Sequence, residues 1–298
     1  MVRRTFLQTA AGAALVTPPP SSRYIKSICA VIFPPGISYA ECFTRAKSAG
    51  FDGVEIQLGR DLTIESTADQ VKRIGDAARK AKVAVASLWG SATLRASPLN
   101  SPDPAVRARG VQVIRKMIEF AGYLDCGALL LVPARIGTGA QFEVGYEVTW
   151  ERCTSELKKI LPDAERAKVL LTPENVWNKF LVSPLEMRQF IDQFQSPWVQ
   201  AHFDVGNVMQ FGYPEDWIAT LERRIKRVHV KDYKLSTRDE QGRFVELLAG
   251  DVNWKEVMTA LGKTGYAGFL SPEIGHDPRD PEQLQKVSRA LDKILTMV

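Results

Sequence analysis

The sequence lacks the paired cysteines of zinc fingers and disulfide-stapled scaffolds. Its four cysteines are scattered without a Cys-x-x-Cys spacing, so neither class of protein is indicated. It also lacks a basic tract, because its net charge of +5 is spread along the chain. Nucleic-acid binding is therefore not expected. No shift in composition and no internal repeat beyond an alternating strand–helix unit marks a second domain.

What is present is the composition of an ordinary globular enzyme, with 45% hydrophobic and 24% charged residues. From residue 24 onward, apolar strand runs alternate with helical patterns. The strand runs lie at residues 25–33, 53–58, 83–89, 128–133, 169–174, 199–204, 227–232 and 268–273. Eight such units favour an α/β fold of the (β/α)8 TIM-barrel type, which takes about 250 residues. A doubly wound sheet is the alternative, but no Gly-x-Gly-x-x-Gly follows the first strand.

The first 22 residues differ from the rest of the chain. A charged start at Arg3 and Arg4 precedes a short apolar run and a Pro/Ser spacer, which is the layout of a signal peptide. The segment RRTFL resembles the twin-arginine export motif, and the apolar run is too short to span a membrane. We therefore expect residues 1–22 to be a twin-arginine signal peptide and residues 23–298 to be a single barrel domain in the periplasm. If the segment is only a disordered basic tail, the protein is cytoplasmic.

Several helix starts carry capping signals. Ser38 with Glu41, and Ser183 with Glu186, have the capping-box spacing. Asp280, followed by a proline, is expected to cap a final helix that runs to the C-terminus.

Four ligand-type side chains fall at strand ends. Glu174, Asp204, His229 and Glu273 each follow an apolar run and precede a polar segment. Active sites of barrels lie at the carboxyl ends of the strands, where carboxylates and an imidazole can share a metal ion. The alternatives are a turn or cap residue for a lone Asp and a buried, hydrogen-bonded barrel residue for a lone His. For His202, two positions before Asp204, we favour that second reading.

Strand side chains two positions apart share a face. Thr172, His202 and Ser271 therefore lie on the same faces as the ligand-type residues that follow them, and they predict a second polar layer beneath these side chains. Such a layer can orient metal ligands by hydrogen bonds.

The segments TPEN, HFDVGN, RVHVKD and SPEI, with GFDGVEIQ near the second strand, resemble the sugar phosphate isomerase/epimerase family, which has a xylose isomerase-like TIM barrel. The resemblance covers residues 24–298. It implies that Glu174, Asp204, His229 and Glu273 bind one divalent metal, often manganese. It also implies that Glu174 and Glu273 exchange protons with the substrate.

This chemistry is coherent by itself. Removing a proton next to a ketose carbonyl gives an enediolate, whose charge a divalent metal can stabilise, while two carboxylates remove and return the proton. A ligand set of oxygens and one imidazole favours Mn²⁺, with Mg²⁺, Co²⁺ and Zn²⁺ as alternatives.

The substrate loops depart from the family pattern. A Gly-Glu-Gly segment common in the family reads LLAGDVNW here, and Asn207 stands where some epimerases have a histidine. Side chains at or near strand ends are the candidate substrate contacts. They are Glu55, Trp89, Arg135, Trp177, Asn207 and Lys231. Rim packing of the tryptophans, and pairing of Lys231 with Asp232, are equally compatible with the sequence.

We therefore expect a metal-dependent sugar isomerase or 3-epimerase that acts on a small sugar. A lyase or dehydratase acting on a keto-sugar or keto-glycoside is an alternative, and a sugar-binding barrel without turnover is another. The endonuclease IV-type relatives of this fold use several histidines for zinc, and three histidines in the whole chain are too few. Stable membrane insertion is not expected, and a homo-oligomer is compatible with the sequence.

Overall fold

The computed structural model describes residues 23–138 and 141–297. Eight parallel strands form a barrel, as the sequence predicts. They are β1 (Tyr24–Cys29), β2 (Gly53–Gln57), β3 (Ala84–Trp89), β4 (Ala128–Leu131), β5 (Leu170–Pro173), β6 (Ala201–Asp204), β7 (Ile225–Val230) and β8 (Gly268–Pro272). The predicted helix–strand alternation thus gives the predicted fold. The segment expected to be a signal peptide, residues 1–22, lies outside the described residues.

The strands are ordered β5-β4-β3-β2-β1-β8-β7-β6. The sheet closes between β5 and β6 through isolated parallel bridges, Leu171 with Val199 and Glu174 with His202. A hydrogen bond of 2.7 Å from the Leu171 amide to the Trp198 carbonyl strengthens this seam. Because every strand is parallel, all eight carboxyl ends meet at one mouth of the barrel.

Eight helices cover the outside of the barrel. They are α1 (Tyr39–Ser48), α2 (Ala68–Ala81), α3 (Pro104–Leu124), α4 (Tyr146–Ala167), α5 (Pro184–Asp192), α6 (Pro214–Leu221), α7 (Trp254–Lys263) and α8 (Gln283–Leu295). Their inner faces bury large side chains such as Phe43, Phe120 and Phe190 against the strands, each without solvent exposure. Truncating one of these to alanine costs about 3–5 kcal/mol by general experience. Within the part of the chain that the structure describes, no helix has the length and apolar character needed to cross a membrane.

The capping signals are confirmed at two helices and wrong at a third. Ser183 accepts from the Glu186 amide, and the Glu186 carboxylate accepts from the Ser183 amide, so both halves of the capping box form. At α1 one half of the expected capping box is observed, because Ser38 accepts from the Glu41 amide while the Glu41 carboxylate accepts from Arg45 at 2.8 Å. Helix α8 does not begin at Asp280. Asp280 accepts from the amide two residues later, which closes a turn before the helix, and α8 starts at Gln283 and ends at Leu295 rather than at the C-terminus.

A two-stranded ribbon extends the mouth of the barrel after β7. It pairs Asp232–Lys234 with Arg243–Val245 in antiparallel fashion. Asp232 is buried and anchors the chain that returns from the ribbon, because its carboxylate accepts from the Leu248 amide at 2.8 Å and from the Trp254 indole at 3.0 Å. A Cβ at Gly250 would lie 2.1 Å from Asp232 Oδ1, so a glycine is needed for this close wrapping.

Candidate metal and active site

The four predicted ligands come together at the mouth of the barrel. One donor atom each of Glu174, Asp204, His229 and Glu273 lies within 4.8 Å of the other three. From His229 Nδ1, the nearest oxygens are 3.0 Å away on Glu174, 3.3 Å on Glu273 and 3.6 Å on Asp204. The register explains this convergence, because Asp204 and Ser271 lie beside His229 on the flanking strands. We refer to these four side chains as the acidic cluster.

Lys231 bridges two members of the acidic cluster. Its ammonium lies 2.5 Å from Glu273 Oε2 and 2.8 Å from Asp204 Oδ2. The carboxylate of Asp232, which the sequence offers as an alternative partner, is turned away into the ribbon anchor. Lys231 therefore places a positive charge inside the cluster rather than pairing with its neighbour in sequence.

Two asparagines fix Asp204 from behind. Asn175 exchanges hydrogen bonds of 2.8 Å with both backbone groups of Asp204. The backbone amide of Asn207 donates to Asp204 Oδ1 at 2.8 Å, while the side-chain amide of Asn207 donates to the backbone carbonyl of Asn175 at 2.9 Å. Asn207 was a candidate substrate contact, but in the structure it is buried and holds a cluster carboxylate in place.

The far side of the His229 ring contacts a second carboxylate. Glu55 Oε1 lies 2.9 Å from His229 Nε2, and the Ser87 hydroxyl donates to the other Glu55 oxygen. Cys29 Sγ is 3.4 Å from both Nε2 and Glu55 Oε1. Glu55 is only 4% exposed, so its expected role as a substrate contact does not match its position. It lies beneath the cluster as the partner of its imidazole.

Burial and charge set the pKa values of the cluster. Burial raises the pKa of Glu174 to about 7, and the hydrogen bond with His229 only partly opposes this. Burial also acts to raise the pKa of Glu273, but the charges of His229 and Lys231 outweigh it and lower the pKa to about 2. Burial acts to lower the pKa of His229, yet the nearby carboxylates, Glu55 foremost, hold it well above its usual range. Two carboxyl groups in one site thus have very different proton affinities.

The acidic cluster suits a divalent cation. Three carboxylates converge in a largely buried site, where the ammonium of Lys231 lies close to Asp204 and Glu273. Gathering buried carboxylates in one place is costly unless cations balance their charge. Three carboxylates and one imidazole on four different strands or strand ends are the donors that such an ion uses in proteins.

The expected second polar layer is present, but it does not orient the cluster. The Thr172 hydroxyl donates to the Leu129 carbonyl at 2.7 Å. The Ser271 hydroxyl is 2.5 Å from that of Ser27. His202 is buried, as expected, and its ring lies 4.2 Å from that of His229 between centroids. Among the described residues neither ring nitrogen has a hydrogen-bond partner, and Nε2 lies 3.7 Å from Glu55 Oε2, so the expected hydrogen bond is not formed within the described residues. The hydroxyl groups of this layer thus bond to other groups inside the barrel. The contacts that orient the cluster are those of Asn175, Asn207 and Glu55 described above.

A cavity of about 610 Å³ opens from the acidic cluster between the ribbon and α8. Trp89 and Lys231, two of the candidate substrate contacts, line it together with Glu273 and the ribbon residue Phe244. The volume lies within the roughly 300–1,000 Å³ of ligand pockets.

The remaining candidate contacts lie elsewhere. Trp177 is at the rim, where its ring stacks on Phe244 at 5.0 Å between centroids and its indole donates to the Asn207 carbonyl. This matches the alternative of rim packing. Arg135 pairs with Glu143 at 3.0 Å with its side chain 55% exposed, on the loop after β4, and is not part of the cavity wall among the described residues.

Sequence reasoning did not identify three contributors to the site. Asn175 directly follows Glu174 in the TPEN segment, and that adjacency was an available signal. Ser87 lies on β3, where a polar residue within an apolar strand indicates an inward partner. Phe244 lies in a segment without periodicity, and no sequence signal places it over the cavity.

Comparison with known proteins agrees with this geometry. The family model of the xylose isomerase-like TIM barrel matches residues 43–294. The L-ribulose-5-phosphate 3-epimerase UlaE of Escherichia coli is 29% identical over 273 residues, which are 87% of this chain and 89% of the relative.

Two solved structures share the fold. A D-psicose 3-epimerase crystallised in the presence of D-fructose has a TM-score of 0.77 at 16% identity, covering 90% of this chain and 97% of its own. The 3-keto-D-glucoside 4-epimerase YcjR of Escherichia coli has a TM-score of 0.72 at 14% identity, covering 92% and 99%. From the family match over most of its length, this chain belongs to the xylose isomerase-like TIM-barrel family.

Proposed function

We propose that this protein is a divalent-metal-dependent sugar epimerase that works through proton removal and return. The UlaE relatives it resembles are named epimerases, and the chain is an enzyme of this isomerase type. The observation that carries the proposal is the placement of Glu174 and Glu273, whose oxygens lie 3.0 and 3.3 Å from the same nitrogen of His229. Two carboxylates that reach one site from different strand ends can act as the two bases of such a transfer.

Glu174, Asp204, His229 and Glu273 would hold the cation. When bound, a divalent ion would stabilise the negative charge that develops on the substrate oxygens. Asp204 is suited to ligation alone, because it is fully buried and braced by asparagines.

The protein's own side chains carry out the proton transfers and provide hydrogen bonds to the substrate. One of Glu174 and Glu273 removes the proton from the carbon next to the carbonyl, and the other returns a proton to the opposite face. The ammonium of Lys231, 2.5 Å from Glu273, favours the carboxylate form of that residue. It is also a hydrogen-bond donor at the cavity wall, where a substrate oxygen can approach it.

The test replaces each base with its amide. Glu174→Gln and Glu273→Gln keep the side-chain shape and should each lower the rate about 10²-fold or more. Because each change also weakens a metal contact, bound manganese must be measured beside the rate. Glu151→Gln, an exposed change on α4, is the matched control and should keep parental activity.

Solvent deuterium supplies the second readout. The parent enzyme should place deuterium on the carbon next to the ketose carbonyl without loss of any group. Manganese and sugar binding with neither exchange nor conversion would contradict the proposal and leave a sugar-binding barrel.

A lyase acting on a keto-sugar or keto-glycoside is the second candidate. It is favoured by the continuation of the cavity past the acidic cluster to Val287 and Ala290 on α8, which leaves space for a leaving group. Deuterium exchange accompanied by elimination would select this reaction over epimerisation.

A further inference from the structure

The cavity beside the acidic cluster has an outer half that the proposed mechanism does not use. Its walls are the ribbon on one side and the start of α8 on the other. We infer that this half recognises the hydroxyl groups of an uncharged sugar and discriminates against a sugar phosphate. The inference rests on the proposed function, which it narrows to a substrate class.

The cation that lines the outer half is paired with a carboxylate. Lys286, on the first turn of α8, places its ammonium 2.8 Å from Asp280 Oδ2. Lys231 lies at the inner end of the cavity, where its partners Asp204 and Glu273 belong to the acidic cluster. A phosphate ester in the outer half would have to break the Lys286 ion pair to obtain a charged partner there.

The outer half carries excess negative charge. Glu246, Asp277 and Asp280 line it beside the ammonium of Lys286. Arg279, whose side chain is 88% exposed, makes two contacts with Asp277, at 2.9 and 3.0 Å. Three negative charges therefore stand against two positive charges, and the local net charge is −1. A phosphate group brings a charge of about −1.5 to −2 at neutral pH, so it meets charge of its own sign here.

The same walls suit a neutral sugar. Carboxylate oxygens are acceptors only and pair naturally with hydroxyl donors. Between them, Phe244, Leu247 and Val287 provide an apolar surface for the C–H face of a ring. Acidic edges around an apolar patch thus complement a molecule that has many hydroxyl groups and no charge.

Arg95 is a cation whose position would favour the binding of a phosphate. Its guanidinium lies 5.4 Å over the ring of Trp89, which lines the inner end of the cavity. A substrate phosphate that reached past Trp89 would find it. The test therefore includes this residue.

The experiment compares free ketoses with their terminal phosphate esters, using the full chain loaded with manganese. We expect kcat/KM for the esters to be lower by about 10²-fold or more, because like charges placed together disfavour binding. The difference should shrink at high salt, where repulsion between exposed charges is screened.

Asp280→Asn releases Lys286 and removes one negative charge. It should raise kcat/KM for the ester and lower it for the free sugar, which loses an acceptor, so that the ratio changes about tenfold. Asp292→Asn removes the same charge at the other end of α8, where Asp292 pairs with Lys26, and should leave the ratio unchanged.

The outcomes are distinct. Preference for the phosphate ester, lost in Arg95→Gln, would overturn this inference and leave the proposed epimerase intact. An unchanged ratio in Asp280→Asn would also overturn it. Absence of turnover and of deuterium exchange with both substrate classes would overturn the proposed function, and this inference with it.

Discussion

Glu55 offers a direct test of how the acidic cluster is held. Its carboxylate accepts from the Nε2 side of the His229 ring at 2.9 Å, which leaves Nδ1 unprotonated in a neutral ring and turned toward the cluster. Carboxylate partners on the second nitrogen fix both the tautomer and the orientation of metal-binding histidines. We therefore predict that changes at Glu55 weaken metal binding although Glu55 is outside the acidic cluster.

The expected size follows from the contacts. Loss of such a partner typically lowers metal affinity about 10–100-fold, which is about 1.4–2.7 kcal/mol. Glu55→Gln keeps an oxygen that can accept from Nε2 and removes only the charge, so we expect the lower end. Glu55→Ala removes both acceptor oxygens, leaves His229 and Ser87 without this partner, and should reach the upper end. The unpaired polar groups should also cost about 1–3 kcal/mol of folding stability.

The assay titrates Mn²⁺ into chelator-treated protein by calorimetry, with the thermal midpoint of each metal-free variant recorded in parallel. Nitrogen NMR of the metal-free protein, at a pH above the raised pKa of His229, reports which ring nitrogen carries the proton in the neutral ring. Glu151→Gln, the exposed change on α4, is the control and should keep the parental manganese affinity. Parental manganese affinity in both Glu55 variants, with both folded, would refute the argument.

Three further predictions concern packing, capping and export. Gly206→Ala would place a Cβ 2.6 Å from the Cβ of Lys231. This overpacking should lower the free energy of unfolding by about 1–3 kcal/mol, and the thermal midpoint with it. An unchanged midpoint would contradict the prediction, because it would show that the backbone shifts without cost. Ser183→Ala removes the cap of α5 and should cost about 1 kcal/mol in urea unfolding, with an unaltered denaturation midpoint speaking against it. Replacing Arg3 and Arg4 with Lys should retain the precursor inside the cell if the proposed twin-arginine route operates, and unchanged fractionation would count against that route.

The barrel was predictable because each strand is a short apolar run between polar segments. The run at 169–174, for example, contains the observed strand Leu170–Pro173. The seam was not predictable in the same way. Only two isolated bridges join Leu171 to Val199 and Glu174 to His202, and their register depends on how the whole sheet curls rather than on either segment alone.

The convergence of the acidic cluster was predictable, because the carboxyl ends of the strands meet. The position of Glu55 was not predictable, because it depends on how deep in the barrel the side chain lies. Period-two alternation tells which face of β2 carries Glu55, but it does not tell how far below the mouth that side chain lies. Lys231 shows the complementary difficulty. Its sequence neighbour Asp232 offered a partner, yet the close carboxylates belong to Asp204 and Glu273 on the flanking strand ends. Contacts across a barrel are set by closure, which no local pattern contains.

The ribbon after β7 has a consequence for redesign. Asp232 ties down the returning chain near Leu248 and Trp254 by hydrogen bonds that involve none of the ribbon tip. Residues 237–241 therefore form an exchangeable tip that is separated from the acidic cluster. Its two ends are fixed, because the Leu235 amide donates to Asp251 at 2.8 Å and a Cβ at Gly242 would lie 2.3 Å from the Tyr233 hydroxyl oxygen. A library that varies Phe244, which lines the cavity, can reshape the cavity wall while the acidic cluster keeps its place.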